Sequence, residues 1–537
     1  MGMALAALTM AALAAEAGGG EAAVVPANRA ELRLMRKAAA FRQRRVIYND
    51  DGDDALIDNR IGEPGLSTRE AFLAGRIAGI EGTQCDAVFY CAHQCFGRCL
   101  YNTQVGEVFS TTDRAGQEVG FSKNAIPRLI EEGTDPLAVV VEHCHANGIE
   151  AFWSMRVNDT HDAGSAWSSP FQFSQFKKDH PEWLMGTREK RPRHGGWTAV
   201  DYTVPEVREF AFRIVEEVCG NYDVDGIEFD FFRHPVLFKR HAMGEAVGQA
   251  ELDMMTDLFR RVRAMTEAVA LEQGRRPILV AVRVPDSLEV CRYIGLDVER
   301  WLREDLVDIL VMSGYFRLNP WTTSVDLGRK YGVPVYACLS ETRVRDAEGA
   351  APRRTLECYR ARAMNAWDSG ANGVYLFNYF HPESVLWSEL GSRETLAPLD
   401  KVYTTAARGL GNLRGYIAGG ERFLNRPILN PAHPRPLAPG ATEQAELLVG
   451  EMLPKQNAPR VTLQLRIKGI AAADAVAVAM NGAALDTGLK TGDWLEYAMD
   501  AGLVKHGANT IAVTLAEGAE GEVVWDDLLL WMRHGAR

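Results

Sequence analysis

DVDGIEFDFFRHP, residues 223–235, follows a helix-like run at 205–219, PEVREFAFRIVEEVC. Within it, Ile227, Phe229 and Phe231 alternate with Gly226, Glu228 and Asp230. A period of two predicts a buried strand over 224–232. The alternation sets Glu228 and Asp230 on one side, away from the large apolar residues. Two carboxylates crowded and desolvated in this way push at least one pKa up, which suits acid/base chemistry. The structural alternative is a carboxylate pair that merely finishes a strand. Arg233 and His234 at the same C-terminal edge favour the functional reading.

Working outward, the pattern of strand, loop and helix repeats. Strands are expected at 46–49, 87–91, 150–155, 226–230, 278–284, 308–313, 335–339 and 373–377. Helices are expected at 29–45, 69–81, 136–147, 205–219, 251–272, 297–304, 325–331 and 356–369. Strands alternating with helices over this length predict a (β/α)8 barrel with long loops, an α/β fold of the TIM-barrel class. A doubly wound open sheet is the alternative. It calls for a glycine-rich phosphate loop after its first strand, and NDDGDDA at 49–55 is not one.

In a parallel barrel the loops after the strands build the site. The strand ends carry Asp50 and Asp51; His93; Arg156, Asn158, Asp159 and His161; Arg233 and His234; Arg283; Tyr315 and Trp321; Glu341; and Asn378 and Tyr379. Each alone reads as a cap or a solvated loop residue, but jointly they mark one polar mouth. Trp153, Trp167, Trp183, Trp197 and Trp321 fall on or near these loops. Aromatic rings stack on the apolar faces of sugars, so the group suggests a carbohydrate ligand, with core packing the alternative for each one.

Composition narrows the classes. A formal net charge of −12 argues against a nucleic-acid partner. No apolar run after the N-terminus is long enough to span a bilayer. The leader, residues 1–28, opens with MGMALAALTMAALAAEAGGG, an apolar run followed by small residues, although no Lys or Arg precedes it. Export to the periplasm or the medium is the expectation, with a cytoplasmic protein carrying an Ala/Gly leader as the alternative. The nine cysteines lie between Cys85 and Cys358, and CAHQCFGRC at 91–99 matches no common zinc spacing. Buried thiols or one local disulfide are expected, with no metal and no cofactor. The barrel is expected over 29–424. A proline-rich linker follows at 425–439, NRPILNPAHPRPLAP, and then short strand patterns at 440–537 that suggest a β-sandwich.

VDGIEFDFFRHP, together with NPWTT, SMRVNDTHD, DYTVPEVREF and GLDVERWLREDLVDILVMSGYF, resembles the glycosyl-hydrolase-like family-ten group of bacterial (β/α)8 proteins over most of 44–403. The tail, with DWLEYAMDAGLVKHGANTIAVTL and VVWDDLLLWM, resembles β-sandwich modules appended to glycoside hydrolases. The resemblance implies activity on a glycan. Glycosidic hydrolysis needs one carboxylic acid to protonate the leaving oxygen and a second carboxylate to attack or to activate water. Many barrel glycosidases place these after the fourth and seventh strands. Glu228 or Asp230 is therefore expected as acid/base and Glu341 as its partner, with retention of configuration. Asp230 as nucleophile, with Glu228 only shaping the pocket, is the alternative assignment. A catalytically silent glycan-binding protein and a metal-dependent barrel hydrolase using His93, His161 and His234 are the alternative functions.

Overall fold

The computed structural model describes residues 25–57, 60, 62–109, 124–164 and 172–535. The expected leader up to position 24, and Trp167, lie outside the described residues. The first helix, Arg29–Ala40, starts at Asn28, whose side chain accepts the N–H groups of Ala30 and Glu31.

Eight parallel strands follow: β1 (Val46–Asp50), β2 (Cys85–Gln94), β3 (Glu150–Arg156), β4 (Gly226–Asp230), β5 (Leu279–Val284), β6 (Ile309–Met312), β7 (Val335–Ser340) and β8 (Gly373–Phe377). Each pairs with its neighbour in sequence, and β1 pairs with both β2 and β8, so the sheet closes into a barrel. The eight expected strands are all present. Helices Pro136–Ala146, Pro205–Asn221, Gln249–Glu272 and Leu356–Asp368 fall where the 3.6-residue pattern put them. Outward residues such as Ile227 and Phe229 join one apolar core with these helices. No helix among the described residues is long and apolar enough to cross a membrane. All nine cysteines are buried free thiols.

Beyond the barrel, two antiparallel sheets face each other across a core that includes Leu447, Leu463, Ile511 and Leu530. The larger sheet takes in Lys401–Thr404, from a segment that the sequence reading placed with the barrel, and Arg435–Leu437, from the proline-rich stretch. Both are edge pairings onto Val523–Arg533, and a proline is tolerated at an edge. Trp525 is fully buried, and Trp494 and Trp531 donate to Glu348 and Gln464. Trp525 is thus a core residue, and Trp494 and Trp531 are half-buried on the sheet.

Candidate active site

Strand register explains the chemistry around β4. Glu228 pairs with Ser154 and Ala281, and Asp230 pairs with Arg156 and Arg283. Both acids project into the barrel, and Asp230 stands two residues nearer the mouth. Its Oδ1 accepts the N–H groups of Phe232 (2.9 Å) and Arg233 (3.1 Å), and its Oδ2 takes Arg283 Nη2 at 2.6 Å. Three donors thus converge on this one carboxyl group. Arg283 is itself fully buried, with its guanidinium 4.2 Å from the Phe377 ring centre. Gly314 leaves room for it: a Cβ there would lie 2.5 Å from Arg283 Nη1.

Glu228 is completely enclosed. Ser154 Oγ donates to Oε2 at 2.5 Å, and Tyr375 OH, reaching across from β8, lies 3.0 Å from both carboxylate oxygens. Burial, reinforced by the Asp230 charge and opposed by Arg283, pushes its pKa up to about 7. An acid whose folded pKa exceeds its unfolded one stabilises fully below the unfolded value, near 4.5, and that stability is lost as pH rises through 7. Glu228→Gln cannot ionise. It is expected to match the parent near pH 4.5 and to exceed it at pH 8 by up to about 3 kcal/mol. Denaturant midpoints of both proteins across that window check this, and a difference that does not change with pH would refute the raised pKa.

A second ionic network spans the mouth. Asp51, just past β1, binds Arg156 and lies 3.3 Å from Arg233 Nη2. Arg156 also holds Asp159 at 3.0 Å, and Asp159 takes His161 Nδ1 and lies 3.3 Å from His234 Nδ1. The cations around them hold Asp51 and Asp159 well below the usual carboxylate range against the opposing effect of burial. Burial keeps His234 low, at about 4, despite Asp159. Arg233 Nη2 can only donate, so His161 Nε2 accepts it at 3.2 Å and Nδ1–H faces Asp159. Asp159, His161 and His234 bring potential ligand atoms within 4.8 Å of one another, a convergence that their sequence spacing does not reveal. Arg156 and Arg233 already bind this trio, so a metal ion there would compete with two guanidinium groups for the same atoms.

Above the network opens a cleft of about 1190 Å³ at the C-terminal ends of the strands. Of the expected residues, His161, Arg233, His234, Tyr315 and Glu341 line it. Glu341 is 53% exposed and lies 3.5 Å from Arg354. Arg343, Arg345, Arg354 and Arg408, with Tyr416, complete the walls. The sequence reading passed over most of these, because they come from the stretch after β7 and from 408–416, beyond the last barrel strand. Only the many arginines near position 343 signalled them.

Several expected residues serve the framework instead. Asp50 accepts Tyr48 OH and Gly52 N–H beneath β1. His93 is fully buried, accepts Gly97 N–H at 3.0 Å and is held at about 4 by burial. Asn158 bridges Val200 and Val236 and thereby ties two loops together. Trp321 begins helix Trp321–Tyr331 and stacks with Arg317. Asn378, at φ 53°, turns the chain after β8, and Tyr379 packs on Tyr359 and Trp387. No tryptophan among the described residues lines the cleft. Trp153 is buried in β3, Trp183 stacks on His180 and Trp197 packs on Phe173, so the tryptophan cue does not point to this surface.

Comparison with known proteins adds a family likeness. Residues 97–251 match the profile of the family described as Glycosyl hydrolase-like 10. This match and the closed eight-stranded barrel fit a glycosyl-hydrolase-like (β/α)8 protein of that type. The glycosyl hydrolase YngK of Bacillus subtilis (strain 168) is 25% identical over 117 residues, which cover 20% of this chain and 19% of that one. The chain thus matches only about a fifth of that relative's length. Among solved structures, the alpha-L-fucosidase isoenzyme 2 from Paenibacillus thiaminolyticus is 14% identical, with a TM-score of 0.38 over 66% of this chain and 49% of that one. The PgaB (BpsB) glycoside hydrolase domain from Bordetella bronchiseptica is 11% identical, with a TM-score of 0.39 over 66% of this chain and 99% of that one.

Proposed function

We propose that the chain is a glycoside hydrolase that takes a carbohydrate into the cleft above β4. Asp230 is its nucleophile and Glu341 its acid/base, with retention of configuration. The observation that carries this reading is the placement of Asp230, a carboxylate held by Arg283 and buried at the C-terminal end of β4, three residues before Arg233, which lines the cleft. Glu341 faces solvent beside Arg354, where a proton can be given and taken back. Glu228, enclosed behind Asp230, shapes the field and not the reaction. Tyr416 offers a ring for sugar, and the arginines of the wall, with Arg408 over the buried Tyr315 ring, suit hydroxyl or acidic substituents. Export of the chain, proposed from its leader, is consistent with a polysaccharide substrate.

One observation favours a second reading. Every oxygen of Glu228 and Asp230 already has a partner inside the protein. That arrangement also serves a protein that holds glycan without cleaving it. The purified chain should therefore be incubated with a broad panel of natural polysaccharides and oligosaccharides while reducing ends are followed. Release from at least one substrate is expected. Binding to one of them with no release from any would replace the hydrolase with the binding protein.

A further inference from the structure

A second recess lies where the barrel meets the C-terminal sheets. Arg317 comes from the loop after β6 and Arg362 from helix Leu356–Asp368. Arg408 and Arg426 follow the strand Lys401–Thr404. The four surround about 70 Å³ of space, several times the ~10–15 Å³ that one water needs. No carboxylate is among the residues lining it. Asp286 stands nearby, but its oxygens accept the backbone N–H groups of Leu318 and Asn319, and it is one charge against four. Among the described residues none of the four half-buried arginines makes an ion pair, whereas buried arginines of this chain such as Arg156, Arg283 and Arg353 each hold a carboxylate.

Their own contacts leave donors over. Arg408 Nε donates to the Glu341 carbonyl at 2.7 Å and Arg426 Nη2 to the Thr405 carbonyl. Arg317 stacks on Trp321 and Arg362 on Tyr359, at 4.8 and 5.1 Å from the ring centres. Arg317 Nε, Arg362 Nη1 and Arg408 Nη1 are buried with no acceptor in the protein. Burial, then repulsion from Arg426, pulls the Arg317 pKa well down, and burial lowers Arg408 and Arg426 to about 10. Four like charges drawn together, with three buried N–H groups lacking an acceptor, are costly unless an anion joins them.

We propose that this recess binds a compact anion, a halide or the head of a sulfate, phosphate or carboxylate group, which joins the barrel to the C-terminal sheets. The inference is independent of the activity proposed above. Arg408 lines both the recess and the main cleft, so the anion comes either from solution or from an acidic substituent of a sugar.

Crystals of the full chain soaked in sodium bromide test the site directly. An anomalous peak in hydrogen-bonding contact with at least two of the four guanidinium groups is expected, and a map without that peak overturns the proposal. In solution, sodium sulfate at ionic strength held constant with sodium Hepes should raise the thermal midpoint saturably, by about 3 °C or more at a hundredfold excess over Kd. Arg362→Gln and Arg426→Gln should remove that rise while leaving the sulfate-free midpoint unchanged or higher, because each relieves repulsion. Sodium glucuronate distinguishes the sources. If it abolishes the sulfate shift, the recess receives a sugar carboxylate. If the shift is untouched, the site serves free anions.

Discussion

Glu341→Gln is expected to lower turnover of unactivated glycans by about 10²–10⁴-fold while leaving the melting midpoint within a degree of the parent. The carboxylate is more than half exposed and its one ion pair, to Arg354, spans 3.5 Å, so its loss costs little stability. An acid that protonates the leaving oxygen matters less when that oxygen leaves easily. The same variant should therefore retain far more of the parent rate on aryl glycosides with acidic leaving groups. Asp230→Asn should lose activity on both substrate types, because a nucleophile is needed whatever departs. It will also be less stable, since Arg283 would remain buried against Phe377 with its anion gone. Circular dichroism and glycan binding must accompany its kinetics. A Glu341→Gln enzyme within threefold of the parent on a natural glycan sinks the assignment of Glu341. An Asp230→Asn protein that stays folded and active sinks that of Asp230.

The strand-by-strand layout was legible because a parallel barrel buries its strands between helices, and the two periodicities differ strongly in this chain. The alternation at 226–231 also placed Glu228 and Asp230 on one inner face. It could not show how deep each lies. Depth follows from register, which sets Glu228 against Ser154 and Asp230 between Arg156 and Arg283. Polar residues near strand ends look alike in sequence, whether they face the cleft, as Arg233 does, or tie loops together, as Asn158 does. The arginine wall was hidden for another reason. Arg408 and Tyr416 lie after the last barrel strand, and only the crossing into the C-terminal sheet returns them to the mouth. Likewise the convergence of Asp159, His161 and His234 joins two loops some seventy residues apart.

The crossing has its own anchor, and Asp527→Ala is expected to destabilise the chain by about 3–5 kcal/mol. Asp527, on the strand Val523–Arg533, receives both Nη atoms of Arg353 at 2.7 Å each, and neither side chain has any exposed surface. Arg353 further donates to the carbonyls of Ala406 (2.9 Å) and Gly349 (2.7 Å), and Asp527 accepts Leu528 N–H at 2.8 Å. Removing the carboxylate alone leaves a guanidinium in a dry interface with half its partners gone. Removing both charges does not. The double variant Arg353→Met with Asp527→Leu is thus expected to recover much of the loss, since an apolar pair of similar volume replaces a buried ion pair at small cost. Denaturant midpoints of the parent, both single variants and the double complete the cycle, and an Asp527→Ala protein within about 1 kcal/mol of the parent would contradict it. Arg353 ends the helix Ala347–Arg353, and Arg354 beside it reaches Glu341. The same substitution should therefore loosen the wall of the cleft. Weaker glycan binding by Asp527→Ala at temperatures where it remains folded would show that the C-terminal sheet supports the site through this contact, beside the one that Arg466 makes to Asp346 in the cleft wall.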